Sequence, residues 1–78
     1  MIRYSELSKT QKAVIDGMRL GGKLYYDLRS CEFSLLDERG FNIKVKFATG
    51  HSLESRNFVL MLKHENDKIF YQLNPDIS

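Results

Sequence analysis

From Lys23 to Phe47 the chain alternates apolar and polar residues with a period of two. That period belongs to strands with one wet face and one dry face. Leu24, Tyr26 and Leu28 alternate with Lys23, Tyr25, Asp27 and Arg29, and Cys31, Phe33 and Leu35 repeat the pattern. Asp37-Glu38-Arg39-Gly40 reads as a turn ending in Gly. Phe41, Ile43, Val45 and Phe47 then alternate with Asn42, Lys44 and Lys46. The three segments are close enough in sequence to form an antiparallel meander over residues 23–47.

A helix is predicted ahead of them, over residues 8–21. Ser8 is an N-cap, and Gln11 three residues later completes a capping box. Val14, Ile15 and Met18 make an apolar stripe, and Gly21-Gly22 ends the helix. Gly17 inside it marks a place where another element approaches closely. Ala48-Thr49-Gly50 breaks the alternation, and a short helix is expected over about residues 52–56. Phe58–Lys63 and Lys68–Leu73 read as a hairpin over 58–73, turning at His64-Glu65-Asn66-Asp67. A rival reading extends the short helix through Leu62. The expected fold class is α+β: an N-terminal helix packed on an antiparallel sheet, a short second helix and a C-terminal β-hairpin.

Seventy-eight residues suit a single domain, 1–78, with one thin core. The longest apolar runs, such as Phe58–Leu62, fall far short of the roughly 20 residues of a membrane span. The N-terminus lacks the apolar stretch of a secretory signal. One cysteine cannot form an internal disulfide, so a reducing, cytoplasmic setting is expected. Cys31 is expected to pack as a small buried hydrophobe, alternating with Phe33 and Leu35.

The order of signals resembles a small, degenerate winged-helix domain. Leu7-Ser8-Lys9-Thr10-Gln11 opening a helix that closes on Gly21-Gly22 is similar to the first helix of such regulators. Phe58–Lys63, a polar turn and Ile69–Leu73 are similar to the wing hairpin. The middle departs from that family, with strands where a recognition helix would stand. The resemblance implies a nucleic-acid-binding regulator, with Arg56, Lys63 and Lys68 beside the DNA backbone. By size and lack of chemical motifs the chain also resembles the accessory proteins of phages and mobile elements.

No catalytic residues, cofactor or metal site is expected. His51 and Glu54 are three apart, but no third ligand shares their spacing. There is no P-loop and no nucleophile elbow. Binding is the expected function, in one of two forms. In the first, the surplus of apolar residues on the hairpin, Val59, Met61 and Phe70, contacts another protein, as an inhibitor or adaptor, or a second copy of the chain. In the second, the polar sheet face binds nucleic acid through Lys23, Tyr25, Arg29, Lys44 and Lys46. Asp27 and Glu32 dilute the charge of that face, and the whole chain carries only +2.

Overall fold

The structure, a computed structural model, describes residues 2–78. A short 3-10 turn, Tyr4–Glu6, leads into helix α1 at Lys9–Arg19. Strands β1 (Lys23–Asp27), β2 (Glu32–Leu36) and β3 (Asn42–Val45) follow, then helix α2 (Phe47–Ser55), β4 (Val59–Glu65) and β5 (Lys68–Leu73). The expected α+β order is therefore present, helix before sheet and hairpin last.

The capping box at the start of α1 forms in both halves. Gln11 N–H donates to Ser8 Oγ at 3.3 Å, and Ser8 N–H donates to Gln11 Oε1 at 2.9 Å. Past the helix end, Gly21 adopts φ 107°, open to glycine alone at little cost. Val14, Ile15 and Met18 are buried, so the predicted stripe is the packed one. The close approach expected at Gly17 is made by Leu35, whose Cδ2 lies 2.7 Å from where a Cβ would stand.

All five strands form one antiparallel sheet in the order β3-β2-β1-β5-β4. Paired residues share a face. Leu24 pairs with Leu35 and Tyr71, Tyr26 with Phe33 and Ile69, and Phe33 with Val45. These side chains face the helices and form the core with Val14, Ile15, Met18, Leu53 and Phe58. Among the described residues no helix covers the opposite face. Tyr25 pairs there with Ser34 and Phe70, Ser34 with Lys44, and Phe70 with Lys63.

Several expectations are corrected. Strand β3 stops at Val45, and Phe47 opens α2 instead of ending the strand. Helix α2 begins earlier than the expected stub and has no side-chain cap at Lys46. Tertiary packing sustains it: Leu53 is fully buried and Gly50 lies against the Phe33 ring. Cys31 is exposed in the β1–β2 turn at φ 57°, not in a strand interior. Leu28 belongs to that turn and is exposed too. The residues after Phe58 are strand, so the reading that extends the helix through Leu62 does not hold.

Both other hairpin turns are built by polar side chains and backbone geometry. Asn66 and Asp67 take φ 52° and 61°, the pair of positive values that a two-residue hairpin loop needs. Asp37 Oδ1 accepts from the N–H groups of Arg39 and Phe41 at 3.0 and 2.9 Å. These bonds, that from Phe41 foremost, hold its carboxyl below the usual carboxylate range.

Candidate binding surfaces

The three residues singled out on the hairpin do not share a surface. Val59 is 1% exposed and belongs to the core. Met61 is 65% exposed on edge strand β4, on the helix side of the sheet opposite Tyr71. Phe70 points to the open face. Alternation along β5 explains the division, since Met61 pairs with Tyr71 and Phe70 is its neighbour, and a β-bulge between Met61 and Lys63 puts Lys63 with Phe70 on the open face.

The residues selected for nucleic acid divide as well. Lys23, Tyr25 and Lys44 lie on the open face. Arg29 lies in the β1–β2 turn, with its Nε donating to Asp67 Oδ2 at 2.9 Å. Lys46 stands at the start of α2 and Arg56 at its end, with the Arg56 guanidinium 5.2 Å from the Phe58 ring. Lys63 and Lys68, which the winged-helix resemblance placed beside a DNA backbone, instead join Tyr25 on the open face together with Phe70, a grouping the alternation did not show. The Tyr25 and Phe70 rings are 5.7 Å apart on the two adjacent strands β1 and β5. Lys63 stands over Phe70 at 5.3 Å and Lys68 over Tyr25 at 5.7 Å. Glu32 and Glu65 neutralise part of this field, 3.5 Å from Lys44 and Lys63.

A second surface runs along β3. Its far side is an edge. Asp37 N–H donates to Phe41 O at 2.9 Å, so residues 37 and 41 form a hydrogen-bonded pair. Alternation then turns the peptide groups of Ile43 and Val45 toward β2, and those of Asn42 and Lys44 outward. Phe41 and Ile43 are exposed along this edge, Phe41 at 62%, and Phe47 is exposed just beyond it at the start of α2. Beneath it runs a groove of about 280 Å³ between β3 and the two helices. Ala13, Val14, Leu35, Ile43 and Val45 line it, with Lys46 at the start of α2 beside them. The alternation placed Phe41 and Ile43 on a core face. It could not show that β3 runs past the cover that the helices provide.

The third surface is a pocket of about 250 Å³ beneath α2. Phe33 forms its floor, and Tyr26, Phe47 and Tyr71 surround it. Ring centroids from Phe33 are 4.8 Å to Tyr26, 5.8 Å to Phe47 and 6.0 Å to Tyr71. The Tyr71 hydroxyl donates to Glu54 Oε2 at 2.7 Å. Burial first, and then this carboxylate, raise the Tyr71 phenol above its ordinary value, so it remains a donor. The Cys31 thiol first, and then burial, raise Tyr26. His51 stacks on Phe47, with centroids 5.4 Å apart and planes inclined by 22°. His51 and Glu54 thus do share one turn, as their spacing suggested, and what they adjoin is a ring cluster. Among the described residues no group of three or more His, Cys, Asp or Glu comes together as a metal site.

No family model, curated protein or solved structure matches the chain. No described helix is long and apolar enough to cross a membrane.

Proposed function

We propose that this chain is a binding protein that takes an extended segment of another protein alongside β3. The observation that supports this most is the edge itself: outward peptide groups on Asn42 and Lys44 directly above an apolar groove. A strand added there would gain main-chain hydrogen bonds, while its alternate side chains would enter the groove. Lys46 beside the groove favours a segment that carries a carboxylate beside its apolar positions. The exposed rings of Phe41 and Phe47 would cover its ends. Such a module acts as an inhibitor or adaptor by occupying its partner, with no chemistry of its own. Its lone thiol suits a reducing compartment such as the cytoplasm.

The test is selection of random peptides on the wild-type protein, followed by titration against two variants. Lys44→Pro removes one outward donor without touching the β2 ladder, and Ile43→Lys puts a charge into the groove. Each is expected to weaken the selected peptides about tenfold, the loss of one hydrogen bond or one apolar contact. Peptides bound equally well by both variants would remove the reading.

A second reading is supported by the open face. Tyr25 and Phe70 offer two adjacent rings on neighbouring strands, with Lys44 and Lys63 on the two edge strands β3 and β4. Single-stranded nucleic acid binds such platforms by stacking and phosphate contact. Anisotropy of a labelled 15-nucleotide single strand would then fall steeply with salt. The double variant Tyr25→Leu, Phe70→Leu would lose more than tenfold in affinity, at about 1–3 kcal/mol per stacked base. Unchanged affinity would leave the β3 edge alone.

A further inference from the structure

We infer that the pocket beneath α2 binds a compact organic cation, a methylated ammonium or guanidinium head. The argument begins with the distribution of charge over the aromatic rings. The chain has five Phe and four Tyr. Five of these rings already hold a cation of the protein: Lys12 and Arg19 over Tyr4, Lys68 over Tyr25, Arg39 over Phe41, Arg56 over Phe58 and Lys63 over Phe70. The other four are Tyr26, Phe33, Phe47 and Tyr71. Among the described residues no Lys or Arg stands over any of them, and these four surround the pocket.

The pocket adds the second thing a cation requires. Glu54 stands at its rim, and no Lys or Arg among the described residues pairs with that carboxylate. One of its oxygens accepts from Tyr71, which fixes its position, and the other remains available. Ring faces are negative and attract cations most strongly where water is displaced. Phe33 and Tyr71 are nearly fully buried and form a packed floor, while Phe47 and the half-buried Tyr26 offer the accessible ring surface. A volume of about 250 Å³ admits a trimethylammonium or guanidinium group and excludes a folded segment. No Lys or Arg lines the cavity, which disfavours an anion.

The experiment titrates the full chain with choline and with 3,3-dimethylbutan-1-ol, its neutral isostere, following amide and ring resonances by NMR. Choline is expected to shift Phe47, His51 and Glu54 and to bind at least tenfold more tightly than the alcohol. Glu54→Gln keeps an acceptor for Tyr71 and removes the charge, and Phe47→Leu removes a ring that is already half exposed. Each is expected to weaken choline about tenfold and leave the alcohol unchanged. A peptide carrying trimethyllysine supplies the second arm. Binding tenfold tighter than choline assigns the cation to a partner's side chain, and equal binding assigns it to a free small cation. Equal affinity for choline and the alcohol, or full choline affinity in both variants, would overturn the inference. Ile43→Lys should leave choline binding unchanged, so failure of the β3 reading does not carry this one with it.

Discussion

Gly50→Ala is expected to lower stability by about 2 kcal/mol, although alanine is the better helix former. Gly50 lies in the interior of α2 and is buried. A Cβ there would stand 2.4, 2.5 and 2.7 Å from three atoms of the Phe33 ring. The contact falls at the base of the ring, which cannot swing aside as a chain tip could. Tyr26, Phe47 and Tyr71 hold that ring from other sides. Overpacking of this kind costs roughly 1–3 kcal/mol, and the upper end applies where neighbours are fixed. The gain in helix propensity returns up to about 1 kcal/mol. In a domain of this size the net loss lowers Tm by roughly 8–16 °C. Urea unfolding measures it directly. Phe33→Leu in the same chain should recover part of the loss, with a coupling of about 1 kcal/mol or more between the two sites. Wild-type stability for Gly50→Ala alone would mean that α2 lifts from the sheet without cost.

Phe58→Ala is expected to have the larger effect. Phe58 is 1% exposed and follows directly on α2. Its N–H donates to Leu53 O at 2.9 Å, and its carbonyl accepts from Asn74 at 3.1 Å. The ring therefore fills the space where α2, β4 and the end of β5 meet. Truncation of a buried phenylalanine costs roughly 3–5 kcal/mol. A 78-residue chain has only about 4–12 kcal/mol in all, at roughly 0.05–0.15 kcal/mol per residue. Phe58→Ala should consequently be largely unfolded or loosely packed at 37 °C, seen as loss of near-ultraviolet circular dichroism. Phe58→Leu keeps most of the volume and should lose under about 1.5 kcal/mol. A loss below 1 kcal/mol for the alanine variant would show that this corner of the core is not packed as described.

Elements with their own local signals were legible in the sequence. Ser8, Gln11 and Gly21 bound α1 because capping chemistry is local, and alternation placed Leu24, Phe33 and Tyr25 on their proper faces. Helix α2 gave no such signal. It lacks a side-chain cap, and Phe47 continues the alternation of β3 unbroken. Only contact with Phe33 and burial of Leu53 decide its start, and neither is visible in a window of neighbours. Cys31 misled for the opposite reason: it fits the strand period, yet it sits left-handed in a turn. The apolar run Phe58–Leu62 concealed a bulge, and one inserted residue is enough to send Met61 and Lys63 to opposite faces. The four-ring pocket depends on β5 lying beside β1. His51 and Glu54 announced a shared turn, but nothing near them announced Tyr26 and Tyr71.

The ladder between β1 and β5 is the one seam joining the β1-β2-β3 meander to the β4-β5 hairpin, and it pairs residues as remote as Leu24 and Tyr71. Each half can zip locally within microseconds, guided by its own turns. The seam has to close a long intervening loop before any of its contacts form, and that closure entropy governs the folding time. The same seam ties the two faces together: parting β1 from β5 would separate Tyr25 from Phe70 on one face and divide the ring cluster on the other.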